Sequence, residues 1–129
     1  MRFWRPTILI AEDDRVSLKL VRDVLDANDF ETECVTSGEA AVSGAAKFKP
    51  HLIVMDNRLP GIDGLEATRR LKADPATAQI PIIAVTAHAM PEDDLWILGA
   101  GCQAYLPKPF RFKEFVALVK RLLSSGNIA

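Results

Sequence analysis

The stretch Ile8-Leu9-Ile10-Ala11-Glu12-Asp13-Asp14 decides the fold, because an apolar run stops here abruptly on three acids. A second run, Leu52-Ile53-Val54-Met55, stops in the same way on Asp56. Short apolar runs of this kind are typical of strands that are buried on both faces of a parallel sheet. Sheets of that class place their ligand sites just beyond the carboxyl ends of the strands.

Two later runs repeat the pattern with different end residues. Ile82-Ile83-Ala84-Val85 stops at Thr86, and Ala104-Tyr105-Leu106 leads into Pro107-Lys108-Pro109. If all four runs are parallel strands of one sheet, their end residues meet at one edge. Acids, a hydroxyl and a lysine at one edge predict a site for a divalent cation and a phosphoryl group.

Strand and helix patterns alternate along the whole chain. Strands are predicted at Thr7 to Ala11, Glu31 to Thr36, His51 to Met55, after Pro81, and at about Gln103 to Leu106. Helical periodicity predicts helices at Ser17 to Asn28, from the N-cap Ser37 to about Phe48, at Gly64 to Ala73, from Met90 to Gly99 or Gly101, and from Phe112 onward. Five strands alternating with five helices predict a doubly wound α/β sandwich.

Length and composition predict one soluble domain. The 129 residues predict a single domain, 1–129, with its core over about 7–124 and short flexible ends, of which Ser124 to Asn127 look frayed. A net charge of −1 without a basic stripe argues against a nucleic-acid partner. No apolar run reaches the ~20 residues that span a bilayer, so we expect a cytoplasmic protein without membrane insertion. Cys34 and Cys102 fit no metal or disulfide framework and are expected to line the core.

The three acids Glu12, Asp13 and Asp56 predict a magnesium or manganese site. Carboxylates at adjacent strand ends repel one another unless a cation neutralises them. Oxygen ligands without His or Cys favour Mg²⁺ or Mn²⁺ over zinc. An ionised Asp56 is itself a nucleophile toward phosphorus, and the ammonium of Lys108 and the hydroxyl of Thr86 would bind the oxygens of the transferred group.

These residues together resemble the receiver domain of two-component response regulators, over essentially the whole chain. The matching motifs are Ile8 to Asp14, Val54-Met55-Asp56, Leu59-Pro60-Gly61-Ile62-Asp63-Gly64, Ala84-Val85-Thr86-Ala87 and Lys108-Pro109-Phe110. The resemblance implies a flavodoxin-like (βα)5 fold with strand order 2-1-3-4-5. It also implies that Asp56 accepts the phosphoryl group, that Asp13 and Asp56 ligate Mg²⁺, that Glu12 assists through water, and that the backbone carbonyl of Arg58 is a further ligand.

The resemblance also implies a switching mechanism. Thr86 and Lys108 would bind phosphoryl oxygens, and the bond between Lys108 and Pro109 is usually cis in this family. Tyr105 occupies the position of the switch aromatic: Thr86 would move toward the phosphoryl group, and Tyr105 would turn into the vacated space. The surface of helix four, strand five and helix five would then change shape and regulate a partner.

The implied phosphodonor is a histidine kinase or a histidine phosphotransfer protein, and the implied output is contact with a downstream target protein. We expect a monomer or a phosphorylation-linked dimer, and a stand-alone switch rather than an enzyme acting on other substrates. Arg58, His88 and Pro109 flank the site. Arg58 and His88 each lie two residues after a site residue, which leads us to expect a phosphoaspartate lifetime that is sensitive to both side chains.

Three alternatives remain beside the leading interpretation. The chain could be a receiver cut from a hybrid histidine kinase, which the run from Ile80 to Met90 also resembles. A phosphatase of the haloacid dehalogenase type would need a second Asp where Arg58 stands. A flavin- or nucleotide-binding module would need a glycine-rich phosphate loop after the first strand, and acids stand there instead.

Overall fold

The protein is built around a five-stranded parallel sheet. The structure, a computed structural model, describes residues 5–87 and 99–126. The sheet has the order β2-β1-β3-β4-β5. Its strands are β1 (Thr7–Ala11), β2 (Glu31–Val35), β3 (Leu52–Asp56), β4 (Ile82–Thr86) and β5 (Ala104–Pro107). The predicted parallel sheet and its flavodoxin-like strand order are therefore confirmed.

In the described ranges, four helices longer than two residues connect and cover these strands. They are α1 (Arg15–Ala27), α2 (Gly38–Phe48), α3 (Gly64–Ala73) and the C-terminal helix (Phe112–Gly126). The side chains of Asp14, Ser37 and Asp63 each accept a hydrogen bond from the backbone at the start of the helix that follows. These bonds satisfy amide groups that a helix start leaves without a backbone partner. Within the described ranges, no helix is both long and apolar enough to cross a membrane.

Two helix ends differ from the prediction, and one predicted helix lies mostly outside the described residues. The first helix begins at Arg15 rather than Ser17, because Asp14 caps it. The C-terminal helix continues through Gly126, so Ser124 to Gly126, predicted as part of a frayed end, are helical. The helix predicted from Met90 lies outside the described residues except at its end, where residues 99 and 100 are helical and Gly101 follows with a φ of 95°.

The core consists of two apolar layers, one on each face of the sheet. Alternate residues of each strand point to opposite faces, so Ile8 and Ile10 enter one layer while Leu9 and Ala11 enter the other. The first layer packs under α1 and the C-terminal helix, and the second under α2 and α3. Burial on both faces explains the apolar runs of the three central strands, β1, β3 and β4.

Both cysteines line these layers as predicted. Cys34 is partly buried against the first layer, and Cys102 is partly buried against the second. Burial raises the pKa of Cys102 to about 11 and also raises the pKa of Cys34. Both thiols are therefore protonated at neutral pH, as structural cysteines are.

Candidate magnesium and phosphoryl site at the carboxyl edge of the sheet

The register of the sheet brings the strand-end residues level with one another. Ala11 pairs with Met55, which places the next residues, Glu12 and Asp56, side by side. Asp56 in turn pairs with Val85 on β4. The same parallel pairing sets the ends of the other strands level with these two. Residues that are far apart in sequence therefore converge at one edge.

The other side of the site is set by β4 and β5. Thr86 pairs with Pro107, and the amide of Lys108 donates to the carbonyl oxygen of Thr86 at 2.7 Å. Thr86 is buried at the end of its strand. The peptide bond between Lys108 and Pro109 is cis, as the resemblance implied.

Three carboxylates form a compact cluster at this edge. Glu12, Asp13 and Asp56 each offer an oxygen, and these atoms all lie within 4.8 Å of one another. Glu12 and Asp56 are buried, whereas Asp13 is exposed to solvent. Burial, together with the neighbouring Asp56, raises the pKa of Glu12. Negative charge held this closely out of water favours the binding of a cation.

Asp14, the third acid of the opening stretch, has a different role. Its carboxylate accepts a hydrogen bond from the amide of Ser17 at 2.9 Å and caps α1. That bond lowers the pKa of Asp14. Its own amide donates to Glu12 Oε2 at 3.1 Å, so the start of the helix orients the Glu12 side chain.

Lys108 reaches across the site and bridges two of the acids. Its Nζ lies 2.9 Å from Glu12 Oε1 and 3.1 Å from Asp56 Oδ2. Burial opposes the charge on this lysine, but the carboxylates of Glu12 and Asp56 outweigh burial and raise the pKa of Lys108. The ammonium therefore stays charged beside the predicted phosphoacceptor.

The carboxylate of Asp56 is held at both oxygens. Oδ2 accepts from Lys108, and Oδ1 accepts from the backbone amide of Arg58 at 3.1 Å. The side chain of Asp56 cannot turn without breaking one of these bonds. The geometry therefore fixes the orientation of the carboxylate that the sequence predicts as the nucleophile.

The remaining predicted site residues lie around this centre. Tyr105 is half-buried on β5, where it pairs with Ala84 two residues before Thr86. The side chains of Arg58 and Pro109 are exposed beside the site. His88 lies outside the described residues.

A cleft of about 430 Å³ opens onto the site, and sequence reasoning missed it. Asp56, Glu12 and Lys108 lie at its polar end, and its walls are apolar, with residues from α1 and the segment after β5 including Leu20, Val21, Pro109, Phe110 and Phe112. Leu20 and Phe112, which line it, are 48% and 37% exposed, and Val16, one turn before Leu20 on α1, is 68% exposed. The signal was present in the sequence, because Val16 and Leu20 form a second apolar stripe beside the buried Val21 and Leu25.

The residues present fit a magnesium ion. The donors in the cluster are all oxygens, the geometry is compact, and the exposed Asp13 leaves one side open to water. Mg²⁺ keeps several waters and takes one or two carboxylates in such sites. No described His or Cys lies in this cluster to favour a softer metal.

Comparison with known proteins agrees with this geometry. The family model for the response regulator receiver domain matches residues 8–120. The chain is 41% identical over 120 residues to the polar-differentiation response regulator DivK of Brucella ovis. The aligned residues cover 93% of this chain and 98% of DivK.

Two solved receiver domains illustrate the structural similarity. The receiver domain of sensor histidine kinase PA1611 from Pseudomonas aeruginosa PAO1 is 34% identical, with a TM-score of 0.88, over 94% of this chain and 99% of that one. That crystal structure has a magnesium ion coordinated in its active site cleft. The signal receiver domain of a histidine kinase from Syntrophus aciditrophicus is 31% identical, with a TM-score of 0.90, over 96% and 94% of the two chains.

The family match, the strand order and the acidic cluster point to one class of protein. Receiver domains bind Mg²⁺ in an acidic site and act as phosphorylation-dependent switches rather than as metabolic enzymes. The chain therefore belongs to the response regulator receiver domain family of two-component signalling.

Proposed function

We propose that this protein is a stand-alone signalling switch that accepts a phosphoryl group on Asp56. The observation that carries the proposal is the environment of that carboxylate, which lies between the ammonium of Lys108, the amide of Arg58 and the acids Glu12 and Asp13. Similarity to DivK over 98% of its length supports the stand-alone form.

The proposed reaction is transfer from a phosphohistidine of a histidine kinase or a histidine phosphotransfer protein. An oxygen of Asp56 forms the new bond to phosphorus while the bond from phosphorus to the histidine nitrogen breaks, and the histidine leaves with the bonding electrons. Lys108 and Thr86 neutralise and bind the oxygens of the transferring group.

The metal ligands in this proposal are Asp13, Asp56, the carbonyl of Arg58 and, through water, Glu12. Bound Mg²⁺ would supply positive charge to the transferring phosphoryl oxygens. The bridge from Lys108 to Glu12 and Asp56 keeps these acids in place before the metal binds. The Lys108 ammonium can then turn toward the phosphoryl group.

The apolar surface beside the cleft supports a protein as the phosphodonor. Leu20 and Phe112 are exposed in the wall of the cleft that leads to Asp56, and Val16 is exposed one turn before Leu20 on α1. Adjacent apolar side chains that face water are typical of surfaces that bind partner proteins. A donor docked there would present its phosphohistidine to the open side of the site.

The output in this proposal begins at Thr86. Movement of Thr86 toward the phosphoryl group would change the packing of Tyr105 on the neighbouring strand, two residues away in the register. The surface that responds is formed by β5, the C-terminal helix and the segment before β5, and it would bind a downstream target protein. The side chains of Arg58 and His88 would tune how quickly water removes the phosphoryl group.

The test is phosphorylation by a small donor. With Mg²⁺ and acetyl phosphate, the protein should gain one phosphoryl group, measured by intact mass, and the adduct should be stable in acid and labile in base. Asp56→Asn should gain none, whereas the matched surface variant Asp29→Asn should behave as the wild type. Turnover of many phosphomonoesters, or no adduct on Asp56, would reject the proposal in favour of a phosphatase or an inactive domain.

A second candidate is a receiver that belongs to a hybrid histidine kinase. It is favoured by the two similar receiver structures described above, both of which come from histidine kinases. An antibody against this domain distinguishes the two, because it would detect a much larger protein in the source cells if the receiver were part of a kinase.

A further inference from the structure

The loop that follows Asp56 is attached to the start of α2 by one side-chain and one backbone hydrogen bond. The amide of Ile62 donates to Glu39 Oε2 at 3.2 Å, across 23 positions in sequence. Next to it, the amide of Gly38 donates to the carbonyl oxygen of Pro60 at 3.4 Å. Glu39 lies in the first turn of α2, where the helix dipole stabilises its negative charge.

Two glycines allow this close approach. Gly61 has a φ of 75°, which favours glycine, and a Cβ atom there would collide with the Glu39 carboxylate. A Cβ atom at Gly38 would collide with the carbonyl oxygen of Ile62. The close contact between Glu39 and the loop therefore requires glycine at both positions.

The same loop carries groups of the phosphoacceptor site. The amide of Asn57 donates to Val85 on β4, and the amide of Arg58 donates to Asp56 Oδ1. At the other end, the amide of Gly64 donates to the carbonyl of Asn57 at 2.9 Å. The ends of the loop are thus held by the sheet and by α3, and Leu59 is buried in the second apolar layer. The far part of the loop is held at Ile62, where the side chain packs against the second apolar layer and the amide donates to Glu39.

We propose that Glu39 is a positioning residue for the metal site. By holding Ile62, Glu39 restricts the loop that carries Arg58, whose amide is bonded to Asp56 and whose carbonyl is the proposed metal ligand. This inference rests on the proposed function, in which that carbonyl is a metal ligand. Glu39 itself touches neither the metal nor the phosphoryl group.

The experiment compares Glu39→Ala, Glu39→Gln and a matched control, Glu66→Ala. Glu66 is also an acid in the first turn of a helix, but its carboxylate pairs with Arg70 on its own helix. Two quantities are measured in each protein: hydrogen exchange of the Ile62 amide without metal, by NMR, and the dissociation constant for Mg²⁺, by calorimetry. Neither requires phosphorylation.

In Glu39→Ala we expect the Ile62 amide to exchange about fivefold faster, as loss of one hydrogen bond of ordinary net strength would produce. The Mg²⁺ dissociation constant should rise by a similar factor. Glu39→Gln retains an acceptor oxygen and should stay within about twofold of wild type in both measurements, as should Glu66→Ala.

Three outcomes would overturn the inference. Faster exchange at Ile62 with unchanged Mg²⁺ affinity would show that the contact holds the loop but not the metal ligand. A loss in Glu39→Gln equal to that in Glu39→Ala would assign the effect to charge rather than to the bond. Failure of the wild-type protein to bind Mg²⁺ would reject the metal site of the proposed function as well, and exchange at Ile62 would then report on the loop contact alone.

Discussion

The Nζ atom of Lys108 lies 3.1 Å from Oδ2 of Asp56, although 52 residues separate them in sequence. The same ammonium lies 2.9 Å from Glu12. One lysine thus partly neutralises two buried acids. The third acid of the cluster, Asp13, faces solvent. The ammonium is a cation already in place at this site, and in the proposed function a bound metal would share Asp56 with it.

Replacing Lys108 should separate metal binding from phosphoryl transfer. In Lys108→Met the competing positive charge is removed, so we expect Mg²⁺ to bind at least about fivefold more tightly, as expected for an opposing charge of ~1 kcal/mol near the surface. Phosphorylation by acetyl phosphate should slow by about a hundredfold, since a charged donor to the transferring oxygens is lost. Calorimetry and intact-mass kinetics measure the two effects. Lys113→Met is the matched control, and equal Mg²⁺ affinity in Lys108→Met and wild type would contradict the prediction.

Magnesium should stabilise the folded protein through Asp13. A ligand that binds only the native state raises stability by about 2.7 kcal/mol at a concentration 100 times its dissociation constant. We expect a clear increase in Tm on addition of MgCl₂, reversed by a chelator. Asp13→Asn should abolish most of this increase, whereas Asp23→Asn, an exposed acid on α1, should retain it. A Tm increase that survives in Asp13→Asn would place the metal elsewhere.

The stability of the metal-free protein should depend on pH through Glu12. Its pKa in the folded protein is raised above the ordinary 4.5, mainly by burial. The stability linked to this group is therefore fully present below the unfolded pKa and is lost as pH rises through the folded pKa. Glu12→Gln removes this titration. With a chelator present, the free energy of unfolding in urea of this variant, minus that of the wild type, should therefore increase from pH 4.5 to pH 7. If the difference between the two proteins does not change over that range, the raised pKa is refuted.

Cys102 should react very slowly in the folded protein. With a pKa of about 11, only about one thiol in a thousand is ionised at pH 8, and the thiolate is the reactive form. We expect modification by a disulfide reagent at pH 8 to become far faster in guanidinium chloride, where burial no longer raises the pKa. Cys34→Ser isolates Cys102 in this measurement. Rapid labelling of native Cys34→Ser would show that Cys102 is exposed or activated.

The order of strands and helices was readable from local patterns. Apolar runs predicted four of the strands and alternation predicted β2, and Ser37 predicted the start of α2 correctly. The start of α1 was missed by two residues, because the capping acid Asp14 stands directly beside two acids of the site. Ser124 and Ser125 suggested a frayed end, yet the C-terminal helix continues past them. Weak helix formers at an end do not prevent a helix that is stabilised by packing further back.

The acids of the cluster and the lysine were predicted as site residues, because each ends an apolar run. The hydrogen bond between Glu39 and the amide of Ile62 was not predicted. No local pattern links Glu39 to Ile62, and the acid reads as an ordinary first-turn residue. The exposed stripe of Val16 and Leu20 was also not predicted, because apolar residues on a helix are normally assigned to the core.

The sequence by itself determined which residues stand at the ends of the strands, since apolar runs and the residues that end them are local features of the chain. It therefore also determined the chemistry available at the edge of the sheet: carboxylates, a hydroxyl and an ammonium. Only the tertiary structure decided which of them meet. The register of β1 on β3 places Glu12 beside Asp56, and the reach of Lys108 from β5 closes the site. Distances between strands depend on packing and on pairing across the whole sheet, which no local pattern encodes.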